Sequence, residues 1–211
     1  MGLQPLGLEN DRDALLYVPV GYQPDRPLPL IVMFHGAGGE ARAGLSPFFD
    51  RPDNSPIILL ATTSRDTTWD IARGGFGPDI ALLDQALGMA FDRVSVDPGK
   101  IVAAGFSDGA SYALSVGLTN GDLFSKVVAF SPGFYAPGQT TGTPKVWIAH
   151  GTRDDVLPID ETSRQIVSLL EDAGYDVEYQ EFDGGHTVQP EMADEALAWI
   201  ISETTGWIDA S

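Results

Sequence analysis

The chain has 211 residues, of which 43% are hydrophobic and 20% are charged, a composition typical of a globular protein with one substantial core. Its 30 acidic and 12 basic residues give a formal charge of −18, and so negative a surface disfavours binding to nucleic acid or to anionic lipid. The absence of cysteine excludes disulfides and thiolate chemistry, and three histidines leave little for a metal cluster. We therefore expect a single domain, residues 1–211, that acts on small uncharged or cationic molecules and binds no metal.

The sequence contains no run that is long and apolar enough to cross a membrane. Its longest apolar runs, PLPLIVMF (27–34) and PIILLA (56–61), have the length of buried strands. The N-terminal stretch MGLQPLGLENDRD lacks the basic start and apolar centre of a secretory leader. We expect a cytoplasmic protein that is a monomer or a small homo-oligomer.

Apolar runs rich in β-branched residues alternate with stretches of helical periodicity. Helical spacing of apolar residues covers 78–93, 108–119, 160–173 and 190–203. This alternation predicts a mostly parallel sheet of about seven strands with helices on both faces. The predicted strands are ALLYV (14–18), LIVMF (30–34), IILLA (57–61), KIVAA (100–104), KVVAF (126–130), KVWIA (145–149) and VEYQEF (177–182).

Chemically useful residues follow four of these predicted strands. Because ligands of open parallel sheets bind at the carboxyl ends of the strands, these positions are candidates for one site. The four segments are HGAGG (35–39), GFSDG (105–109), HGTRDDVLP (150–158) and DGGHT (183–187).

The segment GFSDG places a serine at the junction between a predicted strand and a predicted helix. A turn tight enough to raise Ser107 above the sheet strains its backbone, and Cβ atoms at 105 and 109 would collide with the neighbouring chain. The backbone N–H of Asp108 would then lie at the helix N-terminus, where it can bind an oxyanion. The pattern indicates a nucleophile, and an ordinary structural turn is the alternative.

A serine nucleophile needs a base and an acid. His186 follows the last predicted strand in a glycine-rich loop and is the first candidate for the base. His150 is the second choice, and for both His35 and His150 loop-shaping hydrogen bonds are the more common role. Asp154 and Asp155 compete as the acid, since the distance from the strand end does not separate neighbours.

These motifs together resemble the α/β-hydrolase fold. The order Ser107, Asp154, His186 is the order of that fold, and the resemblance runs from about 15 to 201. It is strongest to the compact, lidless phospholipase/carboxylesterase and poly(3-hydroxybutyrate)-depolymerase-like esterases, with dienelactone hydrolase as a more distant relative.

The resemblance implies a role for several further residues. HGTRDDVLP is similar to the family's HGxxDxxVP-type loop, which makes Asp154 the acid with Asp155 as the fallback, although Leu157 replaces the family's valine. Val156 and Leu157 then line the site. FHGAGG (34–39) matches the family's HGxGG loop, which assigns a second oxyanion donor to the backbone N–H of Ala37.

Aromatic residues in loops are candidates for a substrate pocket. By resemblance to the depolymerase-like branch they could wall an acyl or alcohol pocket; the alternative is that they pack against the body of the domain. The candidates are Trp69, Phe76, Phe134 and Tyr135.

The resemblance implies hydrolysis of carboxylic esters, with short-chain or aromatic acyl groups, through an acyl-enzyme and without a cofactor. The longest loop after the serine is 132–144, too short for a helical lid. The alternatives keep the fold and change the activity: a thioesterase, a lactone hydrolase, a peptidase, or a binding protein without turnover.

Overall fold

The computed structural model describes residues 1–8, 12–49 and 56–202. Within them, eight strands form one sheet in the order β1-β2-β4-β3-β5-β6-β7-β8. The pairs β1/β2 and β2/β4 are antiparallel, and every other neighbouring pair is parallel. In chain order the strands are β1 (Gly2–Pro5), β2 (Leu15–Val18), β3 (Leu28–Phe34), β4 (Ile58–Thr62), β5 (Val96–Phe106), β6 (Lys126–Phe130), β7 (Lys145–Gly151) and β8 (Val177–Phe182).

Helices cover both faces of the sheet, as the sequence predicts. Helices α2, α3 and α4 pack on one face, and α1 and α5 pack on the other. Strand β3 serves both cores, because Leu30 and Val32 face the first group of helices while Ile31 and Met33 face the second. The helices are α1 (Ala41–Phe49), α2 (Pro78–Arg93), α3 (Asp108–Thr119), α4 (Ser163–Asp172) and α5 (Pro190–Ile201).

Two elements escape sequence prediction. Strand β1 is short and only partly buried, and it pairs with β2 alone. Its sequence therefore shows no alternation of apolar and polar residues. Helix α1 contains Gly44 and Pro47, which normally break helices. Pro47 has no N–H to donate to the carbonyl of Ala43, four residues before it in the helix. That carbonyl instead accepts a hydrogen bond from Ser46 Oγ (2.9 Å).

Two predicted helices have different bounds in the structure. The helix predicted over 160–173 begins only at Ser163, because Ile159–Glu161 forms a 3₁₀ turn and Thr162 has φ −127° and ψ −98°. The helix predicted over 190–203 ends at Ile201, and residue 203 lies outside the described residues.

The carboxyl ends of the parallel strands meet at one edge of the sheet. Phe34 is in register with Gly105, Phe106 with Phe130, Phe130 with Ala149, and Gly151 with Phe182. The four polar segments therefore emerge side by side. The connection over residues 131–144 forms a loop without a helix, so it places no helical lid over this edge.

Across residues 1–8, 12–49 and 56–202, no helix is long and apolar enough to cross a bilayer.

Candidate active site

Ser107 occupies a tight turn between β5 and α3. Its φ of 58° and ψ of −124° fall outside the regions that non-glycine residues usually adopt, and such a conformation costs about 1–3 kcal/mol. Hydrogen bonds hold the turn in place: the N–H of Ser107 donates to the Phe130 carbonyl (2.9 Å), and the Ser107 carbonyl accepts from the N–H of Ala110 (2.9 Å). The predicted backbone strain at this serine is confirmed.

The flanking glycines are required by close backbone contacts. A Cβ at Gly105 would lie 2.2 Å from the Gly109 carbonyl oxygen, and a Cβ at Gly109 would lie 2.2 Å from the Phe34 carbonyl oxygen. Neither partner is the end of a flexible side chain, so the collision cannot be relieved by a rotamer change. The sequence-based explanation of the two glycines is confirmed.

Gly109→Ala is expected to lower the free energy of unfolding by about 3 kcal/mol or more, because the new methyl group must displace the end of β3. Urea unfolding measures this loss. The matched control is Gly88→Ala in α2, where a Cβ meets nothing within 4 Å and the change should be neutral or stabilising by up to about 1 kcal/mol. Equal effects of the two substitutions would contradict the steric explanation.

The side chains of Ser107, His186 and Asp154 form a continuous hydrogen-bonded chain. His186 Nε2 lies 2.8 Å from Ser107 Oγ, and His186 Nδ1 lies 2.6 Å from Asp154 Oδ2. Because a carboxylate only accepts hydrogen bonds, Nδ1 carries the proton and Nε2 is free to accept the hydroxyl proton of Ser107. The other oxygen, Asp154 Oδ1, accepts from the N–H groups of Val156 (3.0 Å) and Leu157 (2.8 Å).

Asp154 is held as an anion by these contacts. Burial alone would raise the pKa of the Asp154 carboxyl, but the hydrogen bonds from the Leu157 N–H, from His186 and from the Val156 N–H outweigh it and leave the pKa below its ordinary value. The neighbouring Asp155 is exposed. The structure therefore brings Asp154, rather than Asp155, to His186.

The loops that carry Asp154 and His186 are joined through their backbones. The N–H of Arg153 donates to the Gly184 carbonyl (2.8 Å), and the N–H of Thr152 donates to the Phe182 carbonyl (2.9 Å). A Cβ at Gly151 would lie 2.4 Å from the Gly184 carbonyl oxygen, so only glycine permits this approach. The joined loops fix the distance between the carboxylate and the imidazole.

The loop over residues 35–39 lies beside the serine. A Cβ at Gly36 would lie 3.4 Å from Ser107 Cβ, and the N–H of Gly38 donates to the Thr67 carbonyl (2.6 Å). Ala37 is exposed in this loop, and Asp108 is the first residue of α3, where N–H groups have no acceptor within the helix. Both N–H groups predicted to bind an oxyanion therefore belong to segments next to the Ser107 hydroxyl.

His35 stabilises the loop over residues 35–39 through hydrogen bonds of its imidazole ring. Its Nδ1–H donates to the Gly36 carbonyl (2.7 Å), and its Nε2 accepts from the N–H of Ser64 (3.0 Å). The Trp69 indole Nε1–H donates to the His35 carbonyl (2.8 Å). These contacts require a neutral imidazole, and burial lowers the pKa of His35 accordingly. The loop-shaping role that the sequence favours for His35 agrees with these bonds.

The lowered pKa of His35 predicts a pH-dependent stability. Below the ordinary histidine pKa of about 6.5, His35 is protonated in the unfolded chain but stays neutral in the folded protein. The free energy of unfolding therefore falls as pH falls, by up to about 1.4 kcal/mol per pH unit. In His35→Asn, the decrease in unfolding free energy between pH 7.5 and pH 5.5 should be smaller than in the wild type. Urea unfolding at the two pH values checks this, and equal decreases in both proteins would contradict it.

The side chain of Asp108 has a partner that the sequence does not reveal. Thr68 Oγ1 donates a hydrogen bond to Asp108 Oδ2. This bond ties the residue after the serine to the loop that follows β4. Thr68 also lines a cavity of about 520 Å³ together with Phe76, Arg65 and Arg73. The cavity is linked to the Ser107 segment through Thr68, and Ser107, Asp154 and His186 do not line it.

The aromatic residues predicted to wall a pocket differ in their placement. Trp69 is only 1% exposed and stacks on Tyr112 with ring centroids 4.5 Å apart, so its side chain belongs to the core and not to a pocket wall. Phe76 is half-buried at the cavity. Phe134 and Tyr135 are half-buried against the core.

Val156 and Leu157, which follow the two carboxylates of the acid loop, differ in their exposure. Val156 is 62% exposed, whereas Leu157 is half-buried. A Cβ at Gly133 would lie 3.3 Å from Leu157 Cδ2, which puts this side chain against the loop over 131–144.

Among the described residues, no group of three or more His, Asp or Glu side chains is arranged to hold a metal ion.

Known proteins resemble this chain in sequence and in fold. The family described as Phospholipase/Carboxylesterase matches residues 78–202. A protein of Aspergillus flavus named "Probable feruloyl esterase C" is 27% identical over 159 residues, which are 72% of this chain and 58% of that protein. "Acyl-protein thioesterase 1" of Gibberella zeae is 29% identical over 113 residues, which are 49% of this chain and 48% of that protein.

The fold has relatives among solved structures. The crystal structure of esterase PE8 superposes with a TM-score of 0.71 at 25% identity, over 88% of this chain and 97% of that one. By contrast, the chain spans little more than half the length of the curated feruloyl esterase it matches. Since the family match covers more than half of the sequence and the sheet and helices agree with the fold, the chain belongs to the phospholipase/carboxylesterase family of α/β hydrolases.

Proposed function

We propose that this protein is a serine hydrolase that cleaves carboxylic esters through an acyl-enzyme. The observation that carries the proposal is the unbroken chain from Ser107 Oγ to His186 Nε2 (2.8 Å) and from His186 Nδ1 to Asp154 Oδ2 (2.6 Å). A hydroxyl, a neutral imidazole and a buried carboxylate in this order are the groups that activate a serine nucleophile.

The reaction follows from the protonation states of these groups. Ser107 Oγ attacks the ester carbonyl while His186 Nε2 accepts its proton, and Asp154 stabilises the imidazolium that forms. The N–H groups of Ala37 and Asp108 bind the oxyanion. The imidazolium then protonates the departing alcohol, and a water molecule, deprotonated by His186, releases the acid and restores the serine.

The features of the site favour an ester with a short or aromatic acyl group. The edge of the sheet carries no helical lid over residues 131–144, and Phe76 offers an aromatic surface in the cavity next to Thr68. Relatives named as feruloyl esterases support the aromatic preference. The charge of −18 disfavours anionic substrates.

A thioester is the second candidate substrate, because a relative named acyl-protein thioesterase shares 29% identity over 113 residues. The same three groups would cleave a thioester, a lactone or a peptide bond, and a binding protein could retain the fold without turnover.

A substrate panel separates these possibilities. We expect p-nitrophenyl acetate, p-nitrophenyl butyrate and methyl ferulate to be hydrolysed faster than an acyl thioester, and a peptide p-nitroanilide to be left intact. A preference for the thioester would move the assignment to a thioesterase. Failure to hydrolyse any of them would favour the binding protein.

A further inference from the structure

A second histidine is buried behind the Asp154 carboxylate. His150 lies near the end of β7 and is 0% exposed. Its Nε2 is 3.0 Å from Asp154 Oδ2 and 2.9 Å from the Leu157 carbonyl oxygen. On the other side of the ring, Nδ1 is 2.6 Å from the hydroxyl of Ser163, the first residue of α4.

These contacts determine the tautomer of His150. Both neighbours of Nε2 are acceptors, so Nε2 carries the proton. Nδ1 then accepts the hydroxyl proton of Ser163. Burial lowers the pKa of His150, which keeps the ring neutral although Asp154 is next to it. The acceptors at Nε2 therefore select the tautomer that turns an N–H toward the acid, and the Ser163 hydroxyl satisfies Nδ1 in that tautomer.

His150 contacts the acid loop at two points that act on the same carboxylate. Its N–H faces Asp154 Oδ2, the oxygen that also accepts the hydrogen bond from His186 (2.6 Å). It also binds the carbonyl of Leu157, whose own N–H donates to Asp154 Oδ1 (2.8 Å). A buried imidazole in this place limits the rotation of the carboxylate through both of its oxygens.

This placement excludes the base role that the sequence left open for His150. Its Nε2 is protonated and lies at the acid, while Ser107 Oγ is hydrogen-bonded to His186. His150 touches neither the serine nor the open edge of the site. Its contacts with the acid loop, at Asp154 and Leu157, are the route by which it can affect the reaction.

We propose that His150, held by Ser163, is a positioning residue that fixes the Asp154 carboxylate and thereby the orientation of His186. The proposal rests on the proposed function, since it assumes that Asp154 and His186 act together. It goes beyond the three-residue chain because it adds a fourth and a fifth side chain, from β7 and α4, to the machinery.

The charges around His150 set the direction of the expected effect. The groups that face it are Asp154 on its own loop, His186 beyond that carboxylate, and Glu181, which is in register with it on β8. The N–H of His150 partly neutralises Asp154. Without it, the carboxylate loses one of the groups that orient it, and its hydrogen bond to His186 Nδ1 should weaken.

The test compares three variants of the full chain. His150→Phe keeps the ring shape without an N–H, His150→Gln keeps an N–H donor near the position of Nε2, and Ser163→Ala keeps the histidine but removes its partner. Turnover of p-nitrophenyl butyrate gives kcat and KM. Proton NMR of the Nδ1–H of His186, which we expect far downfield because its bond to Asp154 is short (2.6 Å), gives a readout that does not need turnover.

For His150→Phe we expect kcat to fall by roughly tenfold to a hundredfold with KM within about twofold, because the carboxylate loses its fixed orientation. The downfield resonance should broaden or vanish. His150→Gln should recover most of kcat and the resonance, and Ser163→Ala should lie between the two.

Two results would overturn the proposal. One is a His150→Phe protein with wild-type kcat and a wild-type downfield resonance. The other is a His150→Gln protein that loses as much as His150→Phe, which would mark a purely structural role. If the wild type turns over no ester, the proposed function fails, and the downfield resonance in the same variants still decides whether His150 positions the pair. If His150→Phe does not fold, Ser163→Ala gives the same decision.

Discussion

Ser107→Ala is expected to lower kcat for every hydrolysed ester by about 10⁴-fold or more, the largest effect of any single substitution in this protein. The hydroxyl is the group that forms the acyl-enzyme, and in its absence only substrate binding and the oxyanion donors remain. KM should change little, because the Ser107 hydroxyl takes part in the reaction more than in binding. Steady-state kinetics with p-nitrophenyl butyrate measures both constants.

The control for this substitution is Ser168→Ala on the exposed face of α4, which should leave kcat within about twofold of the wild type. Circular dichroism and urea unfolding verify that both variants fold. A Ser107→Ala protein that retains wild-type turnover would refute the assignment of the nucleophile.

Asp154→Asn is expected to lower kcat by about 10³–10⁴-fold. The amide can donate a hydrogen bond where the carboxylate only accepts, so it favours the His186 tautomer with the proton on Nε2. That tautomer cannot accept the proton of Ser107. The Asp154 carboxylate is buried and receives the N–H groups of Val156 and Leu157, so the substitution should also lower the free energy of unfolding.

Asp155→Asn is the matched control for this prediction, since the neighbouring carboxylate is exposed. Its kcat should stay within about twofold of the wild type. Loss of activity in Asp155→Asn with retention in Asp154→Asn would transfer the acid role to Asp155.

The parallel strands and their ends could be predicted because their sequences are unambiguous. Strands β3, β4, β6 and β7 in the centre of the sheet are buried on both faces, which requires an almost continuous apolar run such as LIVMF or KVVAF. The polar segments that follow these runs then mark the carboxyl edge of the sheet. Glycines at 105 and 109 add a steric signal, since no other residue fits the contacts with Phe34 and the α3 backbone.

The elements that sequence reasoning missed owe their structure to tertiary contacts. Helix α1 contains Gly44 and Pro47 and is stabilised by burying Leu45 and Phe48 on the sheet. Strand β1 exists through its pairing with β2. Local propensity does not reflect these tertiary contacts, so no pattern in the sequence predicts helix α1 or strand β1.

Side-chain partners brought together from distant parts of the chain were equally hidden. Trp69 sits in a loop rich in polar residues, where an aromatic ring suggests a ligand surface, but its indole N–H satisfies the His35 carbonyl inside the core. The bonds from Thr68 to Asp108 and from Ser163 to His150 join residues on different elements. A histidine at a strand end could be noticed in the sequence, whereas the direction of its N–H required the fold.

The nucleophile role of Ser107 is tested most directly by the site of covalent modification by a fluorophosphonate, which reacts with activated serines. The purified protein is labelled, digested and mapped by mass spectrometry. We predict one adduct, on Ser107 in the peptide that carries GFSDGAS, and its loss in both Ser107→Ala and Asp154→Asn. A folded wild-type protein that is not labelled, or is labelled at another residue, would contradict the claim that Ser107 is the activated nucleophile.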